Sequence, residues 1–349
     1  MRVVVLSNSP ASPVVLPLES ETASASGERW ESEAISDRAV EGVAWSVANA
    51  LLESGHDVVM LQAGNRPEDV IAGLRDAAPD AVFNLCETIG GDSRLEAAVP
   101  YLLSWLDIPF TGNPPGALAM LVDKVTTKAL FASLGVRTPE CLTLGCVSDL
   151  DEWNIWPAIL KPAAEDASLG IDAGSVVRNA ETARSRFELL AARFGIPVLI
   201  ERFITGREVN VAVLETENGL KTGINEIDFS TLPSELPPIV TYEAKWVENS
   251  NYYKSTPVKS PANLQHAVDR IVRDTALSIF SALDLSGYAR IDFRIDNENL
   301  TWVLEVNPNP DLSDDAGFAR SLPEMGLGYR EAVDGLVRVA IARHRRRKK

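Results

Sequence analysis

Gly287-Tyr288-Ala289-Arg290-Ile291-Asp292-Phe293-Arg294 and, a short turn later, Leu304-Glu305-Val306-Asn307-Pro308-Asn309-Pro310 decide how this chain reads. Both runs alternate polar and apolar residues, the pattern of strands with one wet and one buried face. Side chains repeat every second residue, so Arg290 and Asp292 share a face, as do Glu305 and Asn307. Asp296-Asn297-Glu298-Asn299 between them is turn-forming and suits a hairpin. Pairing the two strands would gather two carboxylates, one amide oxygen and one guanidinium on a single patch. Hard oxygen donors without His or Cys suit magnesium, which keeps positions for water and phosphate oxygens. A fixed cation such as Arg290 beside them can hold a developing oxyanion. The blander reading of the same residues is an exposed hairpin edge with ordinary surface charge.

The bulk properties bound the rest. At 349 residues the chain is too long for one ordinary core and predicts two or three domains. Its 46% hydrophobic and 23% charged residues are the balance of a globular, water-soluble protein. A formal net charge of -16 argues against a nucleic-acid binder, which needs a broad basic face. The one basic run, Arg343 to Lys349, could touch RNA or an acidic membrane surface. It is more simply a solvated helix end whose cations suit the dipole. Cys86, Cys141 and Cys146 give neither a disulfide framework nor a metal spacing, which points to a reducing compartment, the cytoplasm. Cys141 and Cys146 sit among apolar residues and are expected in a core. His56 is expected only to close the turn before Val58. No signal-peptide pattern and no membrane-spanning run is found.

Upstream, Arg2 to Ser9 reads as a buried strand. Pro10 to Ser36, rich in Ser, Glu, Ala and Pro, reads as an extended loop or lid. An amphipathic helix over Ala39 to Glu53 carries Val40, Val43, Ala44, Val47, Ala50 and Leu51 on one side. Val58 to Leu61, Pro67 to Ala77 and Ala81 to Leu85 continue as strand, helix and strand, which predicts a parallel sheet. Cys86-Glu87-Thr88-Ile89-Gly90-Gly91-Asp92 follows the third strand, where open α/β sheets bind ligands. Glu87, Gly90 and Gly91 are therefore candidate substrate contacts. A glycine turn before a helix over Arg94 to Leu106 accounts for them equally well. Ile108 to Gly116 is turn-rich and marks a boundary.

Beyond it, a helix from Ala117 to Leu134 carries Asp123, Lys124 and Lys128, charges that a solvated face also explains. Ala158-Ile159-Leu160-Lys161-Pro162 is a strand ending in a lysine suited to phosphate as a point charge. The loop after it, Ala163 to Gly170, lacks the P-loop pattern. Val198 to Ile204 is an apolar strand with one acid, Glu201. That acid could receive an adenine amino group, with Glu208 available for ribose hydroxyls, although both also fit ordinary strand-edge positions. Tyr242-Glu243-Ala244-Lys245-Trp246 adds a lysine near a long loop reaching Lys259. Helices follow over Ala262 to Leu283 and from Tyr329 into the basic tail.

In this order and spacing, Asp123-Lys124, Ile159-Leu160-Lys161-Pro162, Leu199 to Phe203, Glu208, Tyr242 to Lys245, Arg290-Ile291-Asp292 and Glu305-Val306-Asn307 resemble the ATP-grasp ligases, most closely the D-alanine–D-alanine ligase family. The resemblance covers nearly the whole chain. It implies an ATP-grasp fold, mixed α/β and α+β. An N-terminal parallel-sheet domain would cover residues 1–115, a central ATP-grasp subdomain 116–205 and a C-terminal catalytic subdomain 206–349. It implies that Lys124 and Lys161 contact the ATP phosphates, that Glu201, Phe203 and Ile204 line the adenine site, and that Glu208 meets the ribose. Lys245 would approach the γ-phosphate from a mobile loop. Asp292, Glu305 and Asn307 would bind two magnesium ions, with manganese as the alternative and Glu305 shared. Arg290 would stabilise the oxyanion of a tetrahedral intermediate. The family often dimerises through its N-terminal region, so a homodimer is among the expectations, with small-molecule carboxylate and amine substrates and neither nucleic acid nor membrane as partner.

The substrate end departs from that family. Its glutamate near the first strand falls in the unmatched Ser/Pro-rich loop, its loop serine corresponds to Ala167, and its tyrosine after Glu-Ala-Lys corresponds to Trp246. After Asn307, a family glycine and serine correspond to Asp311 and Ala316, with Asp314 and Asp315 between. An acid there repels a substrate carboxylate unless a cation such as Arg320 offsets it. The expectation is an ADP-forming carboxylate–amine ligase whose substrates are not two D-alanines. Its rivals are an authentic D-alanine–D-alanine ligase, a kinase-like phosphorylation without ligation, and a non-catalytic ATP-binding switch.

Overall fold

A strand covered on both faces must be apolar throughout, and Val3 to Leu6 of strand β1 (Arg2–Asn8) have no exposed surface. In the computed structural model, which describes residues 1–8, 40–165 and 168–348, β1 is the middle of a parallel sheet between β2 (Asp57–Ala63) and β3 (Ala81–Leu85). Helix α1 (residues 40–53) buries the predicted face, Val40, Val43, Ala44, Val47, Ala50 and Leu51, against it. Helix α2 (Pro67–Ala77) has the predicted bounds, opened by Pro67 and closed by Ala78 in the left-handed region. Pro10 to Ser36 and Ala39 lie outside the described residues.

Two predicted helices are shorter than expected. In place of one over Arg94 to Leu106 there is a 3-10 turn, Ser93–Leu95, capped by Asp92, and then α3 (Ala98–Trp105). In place of one over Ala117 to Leu134 there are two, α4 (Pro115–Leu121) and α5 (Lys124–Ser133). Asp123 makes the break. Its extended backbone lets its carboxylate accept from the N–H groups of Val125 (2.8 Å) and Thr126 (3.3 Å), an N-cap that starts α5 afresh.

The second sheet is antiparallel, in the order β4-β7-β5-β6, from β4 (Cys141–Leu144), β5 (Ala158–Pro162), β6 (Val176–Val177) and β7 (Val198–Arg202). Helix α6 (Ala180–Phe194) packs on it through Ala183, Phe187 and Leu190. The third sheet is also antiparallel, in the order β10-β9-β8-β11-β12. Its strands are β8 (Gly206–Thr216), β9 (Gly219–Ile227), β10 (Val258–Lys259), β11 (Tyr288–Asp296) and β12 (Thr301–Asn307). Its apolar face, with Val209, Val211, Ile291 and Phe293, packs on Val272, Ala276 and Ile279 of α9 (His266–Ala282). The stretch before Lys259, expected as a loop, holds two short helices, α7 (Tyr242–Trp246) and α8 (Asn251–Ser255), begun by Thr241 and Ser250 as N-caps. Helix α10 (Gly317–Arg320) follows β12.

The last helix, α11 (Tyr329–Arg347), returns to the first sheet, where Leu336 and Val337 share a core with Val3, Phe83, Ala212 and Leu214. Three sequence expectations are corrected here. Cys141 and Cys146 are exposed, and Cys86 is the buried thiol. His56 does more than close a turn, because its Nε2 lies 2.8 Å from Asp334 Oδ1 on α11. The basic end is not wholly solvated. Arg343 donates to the carbonyls of Phe110 (2.7 Å) and Gly112 (3.0 Å) and to Ser286 Oγ, with its guanidinium 5.6 Å from the Phe110 ring centre. Burial, with Arg347 and Arg346 adding to it, brings its pKa down to about 10, so it stays charged at neutral pH. Lys348 meanwhile reaches Asp107.

Arg343 thus fastens the C-terminal helix to the Phe110–Gly112 turn. Arg343→Ala leaves buried carbonyls unpaired and is expected to cost about 2–3 kcal/mol of unfolding free energy. Urea titration of the two proteins measures it; a difference near zero would mean that water replaces the guanidinium.

Candidate active site

Alternation along β11 sends Ala289, Ile291, Phe293 and Ile295 into the core. Arg290, Asp292 and Arg294 are left lining a cavity of about 740 Å³ between the second and third sheets. The predicted hairpin forms, with Arg290 opposite Asn307 and Asp292 opposite Glu305, and a bulge follows directly. Bulges beside functional sites re-aim side chains, and this one ends the regular pairing at the two acids. The same row continues across the sheet: Asn210 stands opposite Asp292, and Asn225 opposite Asn210. Asn225, Asn210, Asp292 and Glu305 therefore lie abreast on four adjacent strands.

Each acid has its counter-charge. Arg290 donates to both Asp292 oxygens through Nε and Nη2 (2.8 Å each), and Asn210 Nδ2 adds a bond of 2.7 Å. Burial raises the Glu305 pKa, but the fields of Lys124, Lys161, Lys245 and Arg290 more than offset that and bring it down to about 2. Among the described residues no three His, Cys, Asp or Glu side chains gather into a ready metal site. The donors present are two carboxylates and the Asn307 amide, whose Oδ1 accepts from the Asn309 N–H at 2.9 Å. Such a sparse, all-oxygen set fits magnesium, which takes its other ligands from water and phosphate.

The next row holds Glu208 opposite Arg294. Both are buried and 2.7 Å apart, and the Arg294 guanidinium lies over the rings of Phe203 (5.3 Å) and Phe229 (5.4 Å). Burial raises the Glu208 pKa, with Asp292 and Glu305 adding to it against the pull of Arg294.

On the opposite wall, Glu201 of β7 faces Ile159, which puts Lys161 on the neighbouring diagonal. Lys161 Nζ is 2.8 Å from one Glu201 oxygen and Lys128 Nζ 2.9 Å from the other. Burial opposes ionisation of Glu201, yet the two lysines hold its pKa below the usual range. Burial lowers that of Lys128, against Glu201. Glu201, expected to receive an adenine amino group, thus has both oxygens on lysines. Lys124 and Lys128 are 8% and 6% exposed, which overturns the solvated-face reading of α5. Lys124 reaches the Glu165 carbonyl, Phe203 and Ile204 line the cavity at the end of β7, and Lys245 comes in on α7.

At the substrate end Glu87, Gly91 and Asp311 line the cavity, as do Trp246 and Ala316; Ala167 is outside the described residues. Gly90 does not line it. Its φ of +62° and an Asn65 Oδ1 2.6 Å from where a Cβ would stand make it a turn residue, as the glycine-turn reading had it. Asn309 ties the two loops together. It accepts from the Tyr288 hydroxyl (3.0 Å) and donates to the Cys86 carbonyl (3.2 Å) and Glu96 Oε1 (3.0 Å). Sequence reasoning missed Lys128, Asn210, Arg294 and Asn225. Three had a signal: Lys128 is four residues from Lys124 on one helix, and Asn210 and Arg294 are two from Glu208 and Asp292 on strands. Asn225 had none.

Two antiparallel sheets closing on such a cavity beside a parallel-sheet unit are an ATP-grasp fold. A D-alanine–D-alanine ligase from Bacillus anthracis, solved with ATP, superposes with a TM-score of 0.74 at 18% identity over 99% of each chain. Residues 136–338 match the family model described as the D-ala D-ala ligase C-terminus. The D-alanine–D-alanine ligase of Gluconobacter oxydans is 33% identical over 312 residues, 88% of this chain and 96% of that one. That of Saccharophagus degradans is 33% identical over 76% of this chain and 79% of its own. The chain belongs to the D-alanine–D-alanine ligase family of ATP-grasp ligases. No helix among the described residues is long and apolar enough to cross a membrane.

Glu305 gives a pH test. Its folded pKa of about 2 lies below the ordinary 4.5, so the ionised carboxylate stabilises the fold above pH 4.5, and that contribution is lost as pH falls through about 2. In metal-free protein Glu305→Gln is expected to melt lower than wild type at pH 7, with the gap closing between pH 4.5 and 2. Thermal melts across that range check it; a gap independent of pH would mean the four cations do not act on this carboxylate.

Proposed function

We propose that this member of the family is an ADP-forming carboxylate–amine ligase whose substrates are not two D-alanines. The observation behind it is a cavity with surplus positive charge on one wall, an oxygen-donor row on the other, and Asp311 and Ala316 at the end where the family resemblance puts a glycine and a serine.

A carboxylate is a poor electrophile, so its oxygen first attacks the γ-phosphorus of ATP; the bond to ADP breaks and an acylphosphate forms. The amine nitrogen then makes the C–N bond, the C–O bond to phosphate breaks, and the amine proton leaves with phosphate or water. No Ser or Cys nucleophile is needed. Lys124, Lys161 and Lys245 hold the phosphates, and positioning with charge neutralisation supplies most of the rate. Asp292, Glu305 and Asn307 would hold magnesium, which neutralises phosphate charge. Glu208 with Arg294, and Phe203 with Ile204, offer the nucleoside a polar and an apolar wall. Glu201 acts here through its lysines, fixing their positions. Guanidinium has five N–H donors, and only Nε and Nη2 of Arg290 face Asp292, so it can meet an oxyanion without letting go of the acid.

A second reading is an authentic D-alanine–D-alanine ligase, favoured by the 33% identity to the Gluconobacter oxydans protein. ADP and phosphate release with magnesium and ATP, over a panel of carboxylates and amines that includes D-alanine, separates the two. A condensed product by mass that requires one acid and one amine is expected. Product from D-alanine alone would establish the second reading, and a phosphorylated product without an amine requirement would remove ligation. Lys161→Met, which takes away one phosphate cation and one partner of buried Glu201, is expected to lower turnover by at least about a hundredfold.

A further inference from the structure

Arg294 is the third residue that the alternation of β11 leaves on the cavity side, after Arg290 and Asp292. It is only 3% exposed, and its guanidinium joins separate segments of the chain. Nη2 lies 2.7 Å from Glu208 Oε2 and also donates to the Pro238 carbonyl, while Nη1 donates to the Gly206 carbonyl at 3.2 Å. Its Cζ stands 5.3 Å from the centre of the Phe203 ring and 5.4 Å from that of Phe229. Phe203 and Gly206 belong to the passage from the second sheet to the third. Phe229 and Pro238 belong to the stretch between β9 and α7, the helix that carries Lys245.

The Arg294–Glu208 pair serves geometry more than stability. Taking two charges out of water costs about as much as their attraction returns, and these side chains are 3% and 11% exposed. What a guanidinium adds over an apolar side chain is a planar fork, whose direction is fixed once its face is stacked and its donors are engaged. Glu208 lines the cavity and meets Arg294 through Oε2, which leaves its other oxygen outside the pair. Burial, with Asp292 and Glu305, raises the Glu208 pKa, and Arg294 pulls against them toward the ionised, acceptor-only carboxylate. The approach is tight as well. A Cβ at Gly206 would stand 2.0 Å from the Ile295 carbonyl oxygen, so glycine is what lets β8 begin close enough to β11 for its carbonyl to meet Arg294.

We propose that Arg294 is a positioning residue for nucleotide choice: it aims the second oxygen of Glu208 at the sugar hydroxyls, so that preference for a ribose over a 2′-deoxyribose runs through it. This rests on the reading of the cavity as an ATP site in the ligase above. Arg294 does not itself touch the sugar. Glu208 does, and Arg294 fixes where that carboxylate stands relative to Phe203.

The test is calorimetric binding of ATP and of 2′-deoxy-ATP, each with magnesium, to wild type, Arg294→Met and Arg294→Lys, with a melting temperature for each protein. Wild type is expected to bind ATP about tenfold more tightly than 2′-deoxy-ATP, the size of one hydrogen bond to a charged group. In Arg294→Met that ratio should disappear, chiefly through weaker binding of ATP. Lysine keeps the charge without the planar fork, so Arg294→Lys is expected to lose the ratio too. In a Glu208→Gln background Arg294→Met should change the ratio no further, because the two side chains act as one unit. Equal binding of the two nucleotides by wild type would overturn the inference. So would variants that weaken both nucleotides by the same factor, which would make Arg294 a support of the wall alone. If Arg294→Met does not fold, the lysine variant decides, and a ratio retained there overturns the inference. ATP bound and discriminated without any condensed product would remove the ligase and leave this inference standing; binding of neither nucleotide would overturn both.

Discussion

Two carboxylates on facing strands are the constraint on which the rest of the structure depends. Asp292 and Glu305 are register partners, and acids about 5 Å apart repel by roughly 3 kcal/mol at an effective dielectric constant near 20. Arg290 can answer for one of them from the same strand. The charges that hold Glu305 ionised come from elsewhere: Lys124 from the start of α5, Lys161 from the end of β5, Lys245 from α7. The hairpin is therefore comfortable only when the second sheet and the α7 segment are closed over it.

The opposite wall solves the same problem with the sign reversed. Lys128 and Lys161 are buried cations, and one carboxylate, Glu201, stands between them. Two positive charges against one leave a surplus aimed at the cavity. An anion entering there completes a charge balance the protein leaves open, while Glu201 holds the two lysines apart, one on each of its oxygens. Removal of one partner of such a buried group costs far more than the pair contributes, so the cluster is expected to tolerate little change.

What was legible in the sequence followed from periodicity. The strand period placed Arg290 with Asp292 and Glu305 with Asn307, and the helix period found the buried face of α1; both are rules about one element at a time. The failures arose between elements. Nothing local says that Asp123 will cap and so divide one helix into two, or that Lys128 will face inward, because its partner Glu201 lies far along the chain. Composition likewise assigned Cys141 to a core and Arg343 to solvent, yet the first is exposed and the second is half-buried and bonded to Phe110, Gly112 and Ser286. Asn225 is the extreme case. Its place in a row across four strands is visible only once the strands are aligned.

The two ends of the cavity differ in how far chemistry constrains them. In the proposed ligase a triphosphate presents the same charges whatever it activates, so the lysines and oxygen donors that would meet it form a set that can be read by spacing. The end of the cavity beyond Asn307 is built from loop residues, where one replacement changes both shape and sign. A glycine at position 311 would let backbone approach a ligand closely; aspartate fills that space and adds a carboxylate anchored by the Ser313 N–H. In the proposed ligase, a change at Asp311 can alter substrate choice without disturbing the cations around Glu305, because Asp311 is anchored within its own loop and is not among them.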